Sequence, residues 1–201
     1  ENEGRWAMCA LGQGLSDAGH HEDALSVQEA ELYLGWRLGA SENHMLVVQI
    51  NLANTYAALG HMEKALSMAR DVYSGRLKLD GEEHPQTLLA ANNYANSFTA
   101  LRRFVEAKSL LHQMIPVARR VLGEGDRITL TMRKAFAEAS YKNPGATLDD
   151  LREAVTTLEE IERTARRVFG AAHPTTVDIE SDLRDVRVAL RAREAPPSVN
   201  R

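Results

Sequence analysis

The segment YAALGHMEKAL at residues 56–66 joins the end of one helical stretch to the start of another, and its pattern recurs along the chain. Related segments are LSDAGHHEDAL at 15–25, FTALRRFVEAK at 98–108 and a looser copy within 141–155. In the segments at 15–25 and 56–66 a glycine follows the last helical residue, where a left-handed backbone costs glycine least. A small alanine further on lets two antiparallel helices approach closely. The recurring pattern therefore predicts helical hairpins.

The anchor alanines of these hairpins set the period of the repeat. They are Ala24, Ala65, Ala107 and Ala154, separated by 41, 42 and 47 residues. The longer last step predicts an insertion within the turn of the fourth hairpin. Arg102 stands where the first two hairpins have glycine, so we expect this turn to close differently or to carry slight strain.

A second pattern marks the joint between one hairpin and the next. It is LDGEEHPQTL at residues 79–88 and FGAAHPTTV at 169–177, with weaker versions at 38–46 and 122–130. Glycine ends one helix, and proline at the first turn starts the next because its missing N–H is not needed there. His84 and His173 precede those prolines, and we expect them to cap the helix starts.

Apolar residues between these stops recur at helical spacing, and strand-like alternation does not occur. The chain is therefore predicted to be all-α. We predict paired helices at about 5–18 and 21–38, 43–59 and 62–79, 86–101 and 104–122, and 127–142 and 148–169, then a last helix at 174–193. These make one repeat domain over 1–193, with repeats at about 1–42, 43–84, 85–126 and 127–173, followed by a disordered tail at 194–201.

The last predicted helix has two interpretations. Its polar residues, among them Asp178, Glu180 and Arg184, suit a helix that caps a stack of repeats. The helix equally suits the first half of an interrupted fifth repeat, and the sequence leaves both open.

The repeat unit resembles the tetratricopeptide repeats of the kinesin light chain class over nearly the whole chain. The resemblance rests most on the joint within 79–96 and on NLANTY at 51–56. It implies a right-handed superhelical solenoid in which the first helix of each pair lines a concave face. It also implies that the chain binds a protein or peptide. The coiled coil that binds kinesin is not found in these residues, so a motor-adaptor role is not implied.

Counting from the anchor alanines places equivalent groove positions on each first helix. Five asparagines occupy such positions on two adjacent helices: Asn51, Asn54, Asn92, Asn93 and Asn96. Asparagine is a mediocre helix former, but its amide offers donors and acceptors that can pair with the backbone of an extended peptide. The other interpretation is that some of them cap turns or bond to neighbouring helices. Gln13 holds the equivalent position near the start of the chain.

The first helix of the fourth hairpin adds charge to the predicted groove. Lys134 and Glu138 fall at the equivalent positions, and Arg133 lies beside them. We hypothesise that the ligand carries an acidic residue that pairs with Lys134 or Arg133. The alternative is that these are solvated charges on the flank of a helix.

Composition and charge argue against several function classes. The chain has 24 lysines and arginines against 28 acidic residues, and residues 1–100 hold 6 of the former and 13 of the latter. This mildly acidic balance argues against a nucleic acid partner. The single cysteine, Cys9, allows no disulfide within the chain and favours a reducing, cytoplasmic compartment. No apolar run reaches the ~20 residues needed to cross a bilayer, so no membrane partner is predicted.

No pattern of residues predicts catalysis, a cofactor or a metal site. The seven histidines form no His-Glu-x-x-His motif, and one cysteine cannot build a thiolate metal site. We therefore predict a binding scaffold or adaptor and not an enzyme. The alternative is a regulatory or sensor module of a larger signalling ATPase or transcription regulator. The partner, the pathway and the oligomeric state stay open.

Overall fold

A computed structural model describes residues 2–194, and within this range every regular element is an α-helix. The helices are α1 (Asn2–Asp17), α2 (His21–Arg37), α3 (Glu42–Ala58), α4 (Met62–Asp80), α5 (Pro85–Ala100), α6 (Phe104–Leu122), α7 (Arg127–Tyr141), α8 (Leu148–Phe169) and α9 (Pro174–Glu194). The predicted all-α class is confirmed, and the predicted helix ends differ from these by at most three residues. The predicted disordered tail, apart from Glu194, lies outside the described residues.

The chain divides into two compact units, at Leu101 and Arg102. In the first unit each helix from α1 to α5 packs against the next, and α1 also contacts α3. In the second unit each helix from α6 to α9 packs against the next, and α7 also contacts α9. Each unit thus shows the neighbour-on-neighbour packing that stacked helical hairpins require.

Small residues lie where the helices approach most closely. The anchor alanines Ala24, Ala65, Ala107 and Ala154 are all at most 2% exposed. Gly75 of α4 shows the same constraint, since a Cβ built there would lie 2.6 Å from the Cδ2 atom of Leu46 on α3. Larger side chains at such positions would separate the helices.

The core of the second unit joins three helices. Leu130 of α7, Leu158 and Ile161 of α8, and Ile179 and Val186 of α9 are fully buried in one cluster. Helix α9 is therefore a full member of this core, whichever of its two interpretations applies.

Side chains at the joints satisfy backbone N–H groups that a helix start leaves without partners. His84 Nδ1 accepts from the N–H of Gln86, and His173 Nδ1 accepts from that of Thr175, both at 3.2 Å. The prediction that these histidines cap helices is confirmed. At the two weaker joints, Ser41 and Asp126 accept in the same way, at 3.3 and 2.7 Å.

A capping box closes the longer turn before α8. Thr147 Oγ1 accepts from the N–H of Asp150 at 3.1 Å, and the Asp150 carboxylate accepts from the N–H of Thr147 at 2.9 Å. The Thr147 hydroxyl also donates to this carboxylate, and Lys108 Nζ lies 3.0 Å from it. The hydrogen bonds from Thr147, aided by Lys108, lower the pKa of Asp150 to about 2.

The turn between α5 and α6 has a left-handed backbone at a residue with a side chain. Arg102 has a φ of 59°, whereas Gly60, at the equivalent place in the preceding hairpin, has a φ of 80°. The expected strain is therefore present, because the Cβ of an L-residue crowds the following carbonyl at positive φ.

Replacing Arg102 by glycine should stabilise the chain, because glycine avoids the ~1–2 kcal/mol that a left-handed L-residue costs. The greater freedom of glycine in the unfolded chain offsets part of this gain. We expect the free energy of unfolding to rise by about 0.5–1 kcal/mol and Tm by about 1–4 °C. Thermal unfolding followed by circular dichroism measures both. The reverse change, Gly60→Arg, should lower Tm, and a decrease with Arg102→Gly would contradict the strain.

Replacing Asp150 by asparagine should lower the free energy of unfolding at neutral pH by about 1 kcal/mol, because the capping box loses its charged acceptor. Since folding lowers the pKa of this carboxyl from 3.8 to about 2, its stabilisation is complete above pH 3.8 and is lost as pH falls toward 2. Urea unfolding across this range should thus depend less on pH in the variant. Asp149→Asn is the control, since that side chain is 93% exposed and lies outside the capping box, so the variant should lose less stability at neutral pH than Asp150→Asn.

Candidate functional site

A trough runs between α3 and α5 over α4. Its volume is about 260 Å³. Small and apolar side chains line most of it: Ile50, Ala53 and Ala57 from α3, Met62, Ala65, Ala69 and Val72 from α4, and Ala90 and Ala100 from α5. Because alanine leaves room beside the backbone, the two first helices enclose a hollow here without a gap in the core below.

Three of the predicted asparagines line this trough. They are Asn54 from α3 and Asn93 and Asn96 from α5. Asn54 and Asn96 are exposed and Asn93 is half-buried, so their amides can reach a ligand. No charged side chain belongs to the lining. The trough therefore combines an apolar floor with neutral groups that both donate and accept hydrogen bonds.

The other two asparagines point elsewhere. Asn51 Nδ2 donates to Cys9 Sγ on α1 at 3.6 Å, which joins two adjacent first helices. Asn92 is 6% exposed and does not line the trough. Since neighbouring residues on a helix differ by about 100° in direction, Asn92 and Asn93 cannot serve the same surface.

Gln13 also lies apart from the trough. It is exposed on α1, and its Nε2 donates to Asp17 Oδ1 one turn later at 2.7 Å. This contact is local to one helix, so it leaves the carboxamide at the surface.

Lys134 and Glu138 belong to a polar cluster between α7 and α9 in the second unit. Lys134 Nζ lies 2.8 Å from Asp182 of α9 and 3.8 Å from Glu138. Burial opposes the charge of the lysine, but the hydrogen bond and the charge of Asp182 outweigh it and raise the pKa of Lys134. The hydroxyl of Tyr141 donates to the same aspartate at 3.0 Å, and burial, together with Asp182, raises the pKa of Tyr141.

Arg133 pairs with different residues from those that pair with its sequence neighbour Lys134. Its guanidinium donates to Glu124 at 3.3 Å and to Glu160 of α8 at 2.6 Å. The side chain is 9% exposed. Arg133 therefore ties α7 to α8 and to the preceding joint, and not to α9.

The described residues hold little that could support catalysis or a metal. They contain no group of three or more His, Cys, Asp or Glu side chains placed to hold a metal ion. Burial, then the charge of Glu31, raises the pKa of the Cys9 thiol despite the hydrogen bond from Asn51. A reactive cysteine needs the opposite shift. None of the described helices is long and apolar enough to span a bilayer.

The alanine wall of the trough is the part of the site that the repeat pattern alone did not reveal. Ala53 and Ala57 stand one turn apart on α3, and Ala90 faces them from α5. Small residues at this spacing on two first helices would have indicated an apolar hollow between them.

Comparison with known proteins identifies the repeat. Residues 44–119 match a family model described as tetratricopeptide repeat. This range holds most of α3, all of α4 and α5, and most of α6, and it includes every residue that lines the trough. No curated protein matches the chain.

Solved structures share the fold at low sequence identity. Two crystal structures show the nearly identical TPR-like repeats of a Podosopora anserina protein described as a kinesin light chain, the first of them in a point variant. They superpose with TM-scores of 0.76 and 0.74. In both cases identity is 22%, over 94% of this chain and 87% of the other. BtubC (BKLC) from P. vanneervenii superposes with a TM-score of 0.62 at 17% identity, over 96% of this chain and 83% of the other.

At these identities the structural likeness establishes the fold, and the family match over part of the chain agrees with it. Residues 44–119 match the tetratricopeptide repeat model, and the chain shares the fold of kinesin light chain-like repeat proteins.

Proposed function

We propose that this chain is a protein-binding scaffold that holds an extended peptide in the trough between α3 and α5. The tetratricopeptide fold generally mediates protein–protein interaction, which gives the class of function. The observation that carries the proposal is the lining of the trough, where three asparagine amides stand over an apolar floor. A reducing, cytoplasmic location is part of the same proposal.

The trough suits recognition of backbone together with one or two apolar side chains. Asn54, Asn93 and Asn96 offer N–H donors and carbonyl acceptors that match the groups of an extended backbone. The hollow of about 260 Å³ has room for aliphatic side chains below them. Backbone pairing of this kind gives affinity for many sequences, while the hollow selects for size and apolar character.

An acidic residue in the ligand would have to compete with carboxylates of the chain itself for Lys134 and Arg133. Lys134 is paired with Asp182, and Arg133 is paired with Glu124 and Glu160. A carboxylate from a ligand would have to displace these internal partners. The trough also offers no charge of its own, so the proposed recognition there requires no acidic residue.

This pairing also decides which variants can test binding. Lys134→Glu would set three carboxylates together, at positions 134, 138 and 182, and would weaken the contact between α7 and α9. A loss of binding in that variant would not separate a ligand contact from an altered fold. Variants in the trough avoid the difficulty, because Asn96 is exposed and Asn93 is half-buried and neither side chain belongs to an ion pair.

The double change Asn93→Ala and Asn96→Ala should weaken peptide binding by about tenfold or more, since each lost hydrogen bond contributes about 0.5–1.5 kcal/mol. Peptides selected from a random dodecapeptide display library, then synthesised and titrated calorimetrically, provide the probe. Ala57→Leu should weaken binding independently by filling the hollow.

Gln113→Ala is the matched control, because it removes an exposed carboxamide from α6, outside the trough. It should leave the affinity within a factor of about two. Selected peptides whose affinity is unchanged by both trough variants would contradict the proposal.

A further inference from the structure

A second surface with binding character lies on the second unit, between α6 and α8 over α7. Two adjoining hollows of about 250 and 570 Å³ make it up, and both are lined by Arg119 and Arg133. We call it the α6–α8 surface. It is built mainly from second helices, whereas the trough is walled by first helices, so the two sites share no residue.

The smaller hollow combines an apolar patch with polar and charged side chains. Its apolar lining is Ile115, Pro116 and Phe136, and its other lining residues besides the two arginines are His112, Glu153 and Thr157. Pro116 lies inside α6 and has no N–H, so the helical hydrogen bond to the carbonyl of His112 is missing. The exposed Pro116 ring thus forms part of the lining, and the His112 carbonyl lacks this one helical donor.

The larger hollow is rich in arginine. Arg119, Arg133, Arg163 and Arg167 line it, with Glu124 and Glu160 as the acidic members. Glu124 pairs with Arg119 at 2.9 Å and shares Arg133 with Glu160. The two carboxylates are thus already engaged by the first two arginines.

The remaining arginines have no carboxylate partner among the described residues. Arg163 donates from Nε to the backbone carbonyl of Glu159 at 3.2 Å, which leaves its other donors available, and Arg167 is exposed on the last turn of α8. Two guanidiniums on successive turns of one helix present paired donors that match carboxylates.

We propose that the α6–α8 surface binds an acidic segment of a partner protein. An aliphatic or aromatic side chain of that segment enters the hollow at Ile115, Pro116 and Phe136. Neighbouring carboxylates pair with Arg163 and Arg167. The segment is extended, so that one of its backbone N–H groups can donate to the carbonyl of His112.

Charge and shape favour this occupant over a nucleic acid. A continuous run of phosphates would meet Glu124 and Glu160 as well as the arginines, and it would leave Ile115, Pro116 and Phe136 without an apolar partner. Nucleic acid binding instead requires a concentrated basic face. Acidic residues spaced around one apolar residue match the arrangement of unpaired cations beside an apolar hollow.

Fluorescence anisotropy with fixed peptides tests the proposal. The probes are twelve-residue peptides of aspartate and glutamate with a central leucine or phenylalanine, and the same peptides with a central serine. We expect the apolar-centred peptides to bind at least about fivefold more tightly. The double change Arg163→Glu and Arg167→Glu should weaken them by tenfold or more, and Arg191→Glu by less than twofold. Arg191 is a matched control because it is an exposed arginine of α9, outside both hollows.

Several results would overturn the proposal. They are no binding by either apolar-centred peptide, equal binding of the serine-centred peptides, or an equal loss with Arg191→Glu. Tighter binding of a twelve-nucleotide oligothymidine at the same arginines would also overturn it. Loss of peptide binding in the Asn93→Ala and Asn96→Ala variant, but not in the arginine variant, would place the acidic peptide in the trough instead. Thermal unfolding of each variant, followed by circular dichroism, shows whether it is folded. If the double variant Arg163→Glu and Arg167→Glu does not fold, Arg163→Gln and Arg167→Gln replaces it. The glutamine variant must then weaken binding at least threefold.

Discussion

The structure depends on helices that come close enough to share one core. A single hairpin cannot bury its apolar face, so each helix needs a neighbour on more than one side. Fully buried alanines at 24, 65, 107 and 154 make this approach possible. At Gly75 even one added carbon would collide with Leu46, which shows that the two helices are closely packed there. Protein interiors are dense enough that either the Leu46 side chain or the helix would have to move.

Helix ends impose a second requirement, and this chain meets it with different side chains. Serine, aspartate and histidine each accept a hydrogen bond from the first turn of a following helix, at Ser41, Asp126, His84 and His173. The backbone requires an acceptor at this place and not a particular residue. For this reason the joints remain recognisable in position although their sequences differ. The trough lies between α3 and α5, whose starts Ser41 and His84 cap in this way.

Much of the architecture could be predicted from the sequence, because it follows from periodicity and from glycine and proline. The helix positions, the capping histidines and the strained turn at Arg102 are of this kind. The capping box of Thr147 and Asp150 was missed, although a threonine three residues before an acid at a helix start is its usual pattern.

Side-chain direction within the predicted site could not be obtained from spacing alone. Asn92 and Asn93 are adjacent in sequence, yet one is buried and the other lines the trough. Arg133 and Lys134 likewise turn toward different helices. A helix rotates by about 100° for each residue. An error of one residue in counting along the helix therefore assigns a buried residue to the groove. The internal partners of charged residues depend on distant helices, and repeat counting does not include them.

The contacts of Asp182 make the residue types at positions 134, 141 and 182 depend on one another. This one carboxylate holds Lys134 Nζ and the Tyr141 hydroxyl of α7 from its place on α9. Losing any member leaves a charge or a hydroxyl without its partner in a place that water reaches poorly. Evolutionary drift at 134, 141 and 182 is therefore coupled, and the three residues should be retained or replaced as a set. Such a set would mark distant chains in which a final helix docks in the same manner, even where little other similarity survives.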